Sequence, residues 1–414
     1  MAETGKSGGR RDLDSASAPV PPSPDPVPSE STVAGSWNLA SAAIVSGAAI
    51  VMAAVLALLL SPPAFLRGPH EPADFRIKDS TLVIVNARGR ELWRFDTKLP
   101  DLLDEAQYRG RFQRRQVPPG VAFHMLPLLI IQDLNHDGHL EVLFVPAGKE
   151  NLGSNRLYCF DGEGKVLWEV EPGRPITYGR VAFSDFVIQG IDALGPFGDS
   201  RTEVVCLAHA LHEWPTQLLA LGADGRRLGE YWNSGRFTDV VCADLDKDGR
   251  KELLAAGFNH EYGKGCLVVF DPGDVLGGSP QSVPEYICPG LEPGSQRDYI
   301  LFPRTDVDRL MRPVESMVDI TLPAKDTVQL MAFGGAIYYD LDFKLDVRAI
   351  RWSRDFQQNY AEFWRAGKIQ PELTPDYQRE LEKRLKSSVL YYNRASGHWT
   401  SRMGLGVGVG IGPR

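Results

Sequence analysis

Cysteine is scarce in this chain: five residues among 414, at 159, 206, 242, 266 and 288. No two make a C-x-x-C pair, so neither a thiolate zinc site nor a redox dithiol has local support. The odd count argues against a dedicated disulfide framework. Most of them lie in apolar runs such as V-V-C-L-A and L-Y-C-F, which reads as buried free thiols acting as small hydrophobes. Positive charge is also short. With 45 Lys and Arg against 53 Asp and Glu, the net charge of -8 argues against a nucleic-acid surface. Catalytic signatures are missing as well. H-A-L-H-E-W at 209–214 is not H-E-x-x-H, and the scattered Ser and His residues give no spacing from which a triad can be argued. The Gly-x-Gly steps near the C-terminus lack the strand and helix that a nucleotide loop needs. No catalytic residue is assigned, and the expectation is a protein that is not an enzyme.

What is present begins with two N-terminal segments. Residues 1–36 are rich in Pro and Ser, cannot bury a core, and are expected to be a disordered tail. Residues 37–61 are expected to form one transmembrane helix. The uncharged run 39–60 is 22 residues long, and at about 1.5 Å per residue it spans a hydrocarbon core of about 30 Å. Trp37 sits at one interface, and Pro62 and Pro63 stop the helix at the other side. The lipid bilayer is therefore an expected partner through residues 39–60. A linker, 62–71, follows.

From 72 to 353 the texture is short β-branched and aromatic runs between Gly and Asp turns. These runs repeat. Glu141, Glu203 and Glu252 each open an apolar run, and a second apolar run and a Gly turn follow at matching distances. A fourth copy starts at Thr327, and a front-truncated one at Thr81. One such small sheet cannot cover both of its faces, whereas sheets stacked radially can. The fold class read from this is all-β: a β-propeller of about five to seven blades. Its closing strand is expected to pair the first unit with the last. Residues 354–400 read as a helical segment packing on the propeller. There Thr374 is the N-cap, Pro375 the first helical residue, and Tyr377, Leu381 and Leu385 the apolar stripe. Residues 401–414 read as a Gly-rich flexible tail.

Two stretches share one acidic skeleton: D-L-N-H-D-G-H-L-E at 133–141 and D-L-D-K-D-G-R-K-E at 244–252. Alternating oxygen ligands can curl around one point, Gly at the sixth place allows the sharp turn, and a carbonyl at the seventh and a carboxylate at the ninth close the shell. The expected ligands in the first loop are Asp133, Asn135, Asp137, the His139 backbone carbonyl and Glu141. In the second they are Asp244, Asp246, Asp248, the Arg250 backbone carbonyl and Glu252. Oxygen donors without imidazole or thiolate point to Ca2+, two sites in all. The His136 and His139 rings read as bystanders. Carboxylate count predicts tighter binding at the second loop. The Glu203 and Thr327 copies lack the skeleton and are not expected to hold metal.

D-x-[DN]-x-D-G-x-x-E followed by an apolar strand, together with Ala332-Phe333-Gly334-Gly335, resembles the FG-GAP (VCBS) repeat family, the propeller repeats of the integrin α head. The resemblance covers about residues 127 to 350. It implies a calcium-stabilised, extracytoplasmic propeller used for binding or adhesion. F-D-G-E-G-K-V-L-W at 160–168 and N-A-R-G-R-E-L-W at 86–93 resemble the tryptophan-docking turns of quinoprotein propellers, which lock blades together. The functional expectation is a binding, adhesion or envelope scaffold protein with a protein or glycan ligand and no nucleic acid. Calcium loops of about 10⁻⁴ to 10⁻³ M affinity suit an extracytoplasmic setting, so the N-terminus is expected in the cytoplasm and the propeller outside. The alternative is a propeller enzyme, a quinone-dependent dehydrogenase or a hydrolase, with its site at the central channel.

Overall fold

The computed structural model describes residues 70–112, 126–149, 155–196, 202–211, 214–311, 318–324, 326–332 and 337–402. The expected tail and membrane span, the Gly-rich end from 403, and Phe333-Gly334-Gly335 lie outside the described residues. Among the described residues no helix is long and apolar enough to cross a membrane.

The chain folds as consecutive antiparallel meanders. The first sheet holds β1 (Asp74–Lys78), β2 (Thr81–Val85) and β3 (Glu91–Asp96). The second holds β4 (Leu129–Gln132), β5 (Glu141–Phe144), β6 (Leu157–Phe160) and β7 (Val166–Val170). A small hairpin, β8 (Ile176–Tyr178) and β9 (Val181–Phe183), leads into the third sheet. That sheet is β10 (Phe186–Pro196), β11 (Thr202–Ala210), β12 (Thr216–Gly222) and β13 (Arg227–Asn233). The fourth starts with β14 (Gly235–Ala243), β15 (Glu252–Asn259) and β16 (Lys264–Phe270). The chain then adds β17 (Gly277–Gly278) in parallel to the edge of the third sheet before β18 (Asp298–Phe302) completes the fourth. The fifth is β19 (Val318–Ala324), β20 (Thr327–Ala332), β21 (Ile337–Asp342) and β22 (Val347–Trp352).

The leading strands of successive sheets are neighbours: β10 lies against β4 and β14, and β14 lies against β19. Inner strands side by side, with each sheet running outward from them, are the blades of a β-propeller. Middle strands show what this does to sequence. Every residue of β15 is buried, because neighbouring sheets cover both of its faces. The apolar cores lie between sheets. One gathers Leu254, Leu267, Leu330 and Tyr339, and another gathers Leu82, Phe144, Phe160 and Cys206.

The outer turns repeat. Asn86 Oδ1 accepts from the N–H of Arg88 and Arg90, Asp161 Oδ1 from Glu163 and Lys165, and Asp342 Oδ1 from Lys344 and Asp346, each at 2.9–3.0 Å. One side-chain oxygen thus closes the same five-residue turn in three sheets. Cys159, Cys206 and Cys266 are buried free thiols and Cys242 and Cys288 are half-buried ones. Burial pushes the Cys206 and Cys266 thiols up to about 12.

Three features differ from the sequence reading. Helix α1 (Glu105–Phe112) occupies a stretch without helical periodicity. It caps the free edge of β1: Glu105 Oε2 accepts from Ile77 N–H at 3.2 Å, and Arg109 Nη2 donates to the Phe75 carbonyl at 2.5 Å. A strand edge satisfied by two side chains leaves no apolar pattern to read. Second, the first and fifth sheets share no strand among the described residues, so no closing strand is shared there. Third, after the short helix α2 (Asp306–Met311), the stretch 354–400 is not helical throughout. Helices α3 (Arg354–Arg365) and α4 (Pro375–Ser387) are followed by a hairpin, β23 (Leu390–Asn393) and β24 (His398–Thr400), which extends the fourth sheet beyond β18. Tyr and Trp flank a Gly397 turn there, a β pattern too short to outweigh the helix before it. Helix α4 itself has the expected cap and face. Thr374 Oγ1 accepts from Tyr377 N–H at 3.3 Å, and Tyr377, Leu381 and Leu385 are buried.

Candidate metal centres

Both acidic loops occupy the same place in their sheets. Residues 133–140 join β4 to β5, and 244–251 join β14 to β15. In each, the second residue, Leu134 or Leu245, is buried and anchors the loop to the core. The fourth residue takes the left-handed conformation (His136 φ 62°, Lys247 φ 65°), and so does the sixth (Gly138 and Gly249, both φ 90°). At the fourth place φ stays near the left-handed helical minimum of about 57° and His and Lys occupy it, whereas at the sixth φ lies well beyond that minimum and both loops have Gly.

The hydrogen bonds match place by place. Gly138 N–H donates to Asp133 Oδ2 at 3.0 Å, and Gly249 N–H to Asp244 Oδ2 at 3.1 Å. Asp137 N–H donates to Asn135 Oδ1 at 2.9 Å, and Asp248 N–H to Asp246 Oδ1 at 3.2 Å. His139 N–H donates to Asp137 Oδ1 at 2.8 Å, and Arg250 N–H to Asp248 Oδ1 at 2.7 Å. Leu134 and Leu245 N–H donate to Glu141 and Glu252 Oε2, both at 2.7 Å. Each side chain commits one oxygen to the backbone. The carboxylates keep a second oxygen.

Those second oxygens decide whether a cation fits. Asp133 Oδ1 and Asp244 Oδ1 are buried and have no hydrogen-bond partner. A buried lone pair without a donor is costly, and a hard cation would satisfy it. Asp244, Asp246 and Glu252 each bring a carboxylate oxygen within 4.8 Å of the others. In the first loop the inward group at the third place is an amide: Asn135 Nδ2 donates to Asp137 Oδ2 at 3.1 Å and Glu141 Oε1 at 3.2 Å. Asn135 would have to turn its amide over to present oxygen inward. Burial pushes the Glu141 carboxyl up, and the charges of Asp137 and Asp133 push the same way, while the Leu134 N–H pulls it down. Repulsion of that kind is relieved by a divalent ion.

Two groups near the loops carried no sequence signal. Arg297 reaches the second loop from the segment before β18. Its Nη1 lies 3.2 Å from Glu252 Oε1, 3.3 Å from Asp271 Oδ1 and 3.9 Å from Asp246 Oδ2. The expectation of tighter binding there counted carboxylates and omitted this cation. Glu71 reaches the first loop from the segment before β1. It takes the His139 ring at 3.0 Å and the Leu140 N–H at 3.3 Å. The ring is thereby turned toward Glu71, whose hydrogen bond and charge raise the His139 pKa. Both contacts cross tens of residues of chain, so no local spacing announces them.

Neither of the other copies shows the cage among the described residues. Asp319 lies within β19, which ends at Ala324, and β20 begins at Thr327. Asp199 lies outside the described residues. His209 places its Nδ1 2.8 Å from the Ala210 carbonyl, and His212 also lies outside the described residues.

No family model matches the chain, and no curated protein matches it. Membership of the FG-GAP family is therefore not shown. Solved structures do match at low identity. BamB from Moraxella catarrhalis is 10% identical with a TM-score of 0.31, over 68% of this chain and 59% of that one. The Dos1 propeller is 11% identical with a TM-score of 0.30, over 65% of this chain and 63% of that one. A BBS1N structure in complex with ARL6DN is 10% identical with a TM-score of 0.24, over 56% of this chain and 83% of that one. The chain spans about three-fifths of the length of the first two. At such scores the blade arrangement stands on the sheets themselves.

Proposed function

We propose that this chain is a membrane-anchored, extracytoplasmic binding or scaffold propeller in which two Ca2+ ions pin the loops between leading and second strands. The observation that carries the reading is the pair of loops. Two segments over a hundred residues apart adopt one conformation and one hydrogen-bond pattern, and each keeps a buried, unpartnered aspartate oxygen. Ordinary solvated turns have no reason to duplicate that feature. The apolar run 39–60 supports anchoring to a lipid bilayer. A protein or glycan is the ligand class the reading implies.

The test is a melting experiment on the full chain in detergent, with and without a calcium chelator. An ion that binds only the folded state stabilises by mass action, by about 1.4 kcal/mol per site at a tenfold excess over its dissociation constant. The expected result is two sites by titration and a midpoint raised by millimolar calcium. Identical melting with and without chelator overturns the ion reading. A reporter fused after Arg414 that is active only outside the cytoplasm tests the topology.

One observation favours the enzyme alternative. Bulges sit at equivalent places in β10 and β14, between Ile188 and Gly190 and between Phe237 and Asp239. The polar residues there approach one another, with Gln189 Nε2 3.5 Å from the Thr238 carbonyl and Arg111 Nη1 donating to the Gln189 carbonyl at 3.0 Å. Turnover of alcohols with an artificial electron acceptor would establish that reading in place of the first.

A further inference from the structure

The first acidic loop is braced from outside its own repeat. Glu71, in the segment before β1, spends both carboxylate oxygens on it across 68 and 69 residues of chain. Its Oε1 lies 3.0 Å from the His139 ring Nδ1, and its Oε2 accepts from the Leu140 N–H at 3.3 Å. The next residue, Pro72, is buried. It packs beside the outer turn of the same sheet: a Cβ on Gly162 would lie 3.5 Å from Pro72 Cδ and 3.7 Å from the Leu140 carbonyl oxygen. Residues 71 and 72 thus sit in a notch between the loop 133–140 and the turn 161–165. The second loop is reached from afar by Arg297, which meets Glu252, and by Asp326, which meets Lys247. Among the described residues neither meets the Lys251 N–H, the counterpart of Leu140.

The Leu140 N–H shares its peptide plane with the His139 carbonyl, the seventh-place ligand expected in that loop. A trans peptide holds its N–H and C=O in opposite directions. An acceptor on the N–H side therefore fixes the plane and aims the carbonyl away from Glu71. The same carboxylate takes the His139 ring, so one group holds both the side chain of the seventh residue and the amide that follows it. Groups that orient a ligand in this way commonly govern metal affinity without touching the metal. With both oxygens engaged, Glu71 acts through the peptide rather than as a ligand.

We propose that Glu71 positions the His139 carbonyl for the ion of the first loop, and that the ion in turn fastens residues 70–73 to the propeller. Linkage makes the two effects equal: whatever the docking of Glu71 adds to ion affinity, the ion adds to that docking. Residues 61–70 separate the uncharged run 39–60 from Glu71. The docked segment is thus the joint through which that run holds the propeller, and calcium regulates the joint as well as the blade loops. The coupling rests on the ion reading of the loops, and the second loop serves as its internal control.

The test is calorimetric calcium titration of the full chain in detergent, for the parent protein, Glu71→Ala and Glu71→Gln. Asp244→Asn isolates the first site and Asp137→Asn the second. Glu71→Ala should weaken the first site about tenfold and leave the second unchanged. Glu71→Gln keeps an acceptor oxygen for the Leu140 N–H and should lose less. A merely structural role would lower the ion-free melting midpoint and leave the ratio of the two affinities alone. Hydrogen exchange reads the reciprocal effect. Calcium should slow backbone exchange at His70, Glu71 and Ala73 in the parent protein and not in Asp137→Asn. Two sites whose affinity ratio ignores Glu71→Ala overturn the proposal. So does an equal loss in both Glu71 variants, or exchange at 70–73 that ignores calcium while the first site is filled. Calcium binding at neither loop sinks the ion reading itself, and the coupling with it.

Discussion

Trp168, on the outer strand of the second sheet, lays its indole on Gly225 in the outer turn of the third. Its Nε1 donates to the Ala223 carbonyl at 2.8 Å, and a Cβ on Gly225 would lie 2.6 Å from the ring. Trp93 does the same one sheet earlier. It donates to the Gly162 carbonyl at 3.1 Å and rests on Gly164, where a Cβ would also lie 2.6 Å away. Gly225 has φ 76°, as does Gly273, around which a Cβ would meet nothing within 4 Å. The pair separates two costs. Gly273→Ala should lose only the left-handed backbone preference, about 1–2 kcal/mol. Gly225→Ala adds overpacking against the indole, a further 1–3 kcal/mol or so. Urea melts of the two variants should differ by that increment. Equal losses would mean that the tryptophan yields freely and does not lock the sheets.

Which glycine each tryptophan meets was not legible in the sequence, because the partner lies in the next unit: Trp93 on Gly164 and Trp168 on Gly225. The unit itself was, since turn, glycine and tryptophan lie within nine residues of one another. The acidic loops were legible on the same ground. What spacing could not show was any contact closed by a long excursion of chain: Arg297 on Glu252, Glu71 on His139, and α1 on the edge of β1. The hairpin at 390–400 was hidden differently. Its strands are of four and three residues, and their β character is supplied by the edge of β18 they join rather than by their own pattern.

A buried polar chain ties the third sheet to the fourth. Tyr299 Oη donates to Asn233 Oδ1 at 2.8 Å and accepts from Asn259 Nδ2 at 2.9 Å, while Asn233 Nδ2 donates to the Phe258 carbonyl at 3.1 Å. Burial pushes the Tyr299 phenol far up. Tyr299→Phe leaves Asn233 Oδ1 without its donor in the core. The expected loss is about 1–3 kcal/mol, read from chemical denaturation. A loss below the low end would show that water or a neighbouring group replaces the phenol.

Arg297 stands where a cation entering the second loop would meet it. Its guanidinium already answers Glu252 and Asp271, so an entering cation must displace it or share the site with it. Arg297→Gln keeps bulk and hydrogen bonding but removes the positive charge. Calcium affinity at the second loop should rise roughly tenfold, about 1.4 kcal/mol, and ion-free stability should fall because Glu252 is buried and loses its partner. Titration of a first-loop variant, Asp137→Asn, isolates the second site for the measurement. Unchanged affinity would place Arg297 outside the ion's field.

Asp342 gives the turn after β21 a dependence on acid. Its partial burial pushes the carboxyl up, but the Asp346 N–H and the Arg348 guanidinium outweigh this, and the net pKa is lowered. The folded state therefore favours the carboxylate more than the unfolded chain does. The stabilisation is complete above the unfolded aspartate value of about 3.9 and is lost as the pH falls through the lower folded value. Protonation removes the charge that faces Arg348 and weakens, without removing, the acceptor that holds the turn 342–346, where Leu345 stands at φ 64°. Asp342→Asn keeps one acceptor oxygen for the turn and cannot titrate. Melting midpoints of the two proteins in chelator should converge as the pH drops below about 4, with the parent protein the more stable above it. A constant offset through that range would assign the stability of the turn to its backbone geometry and not to the charge.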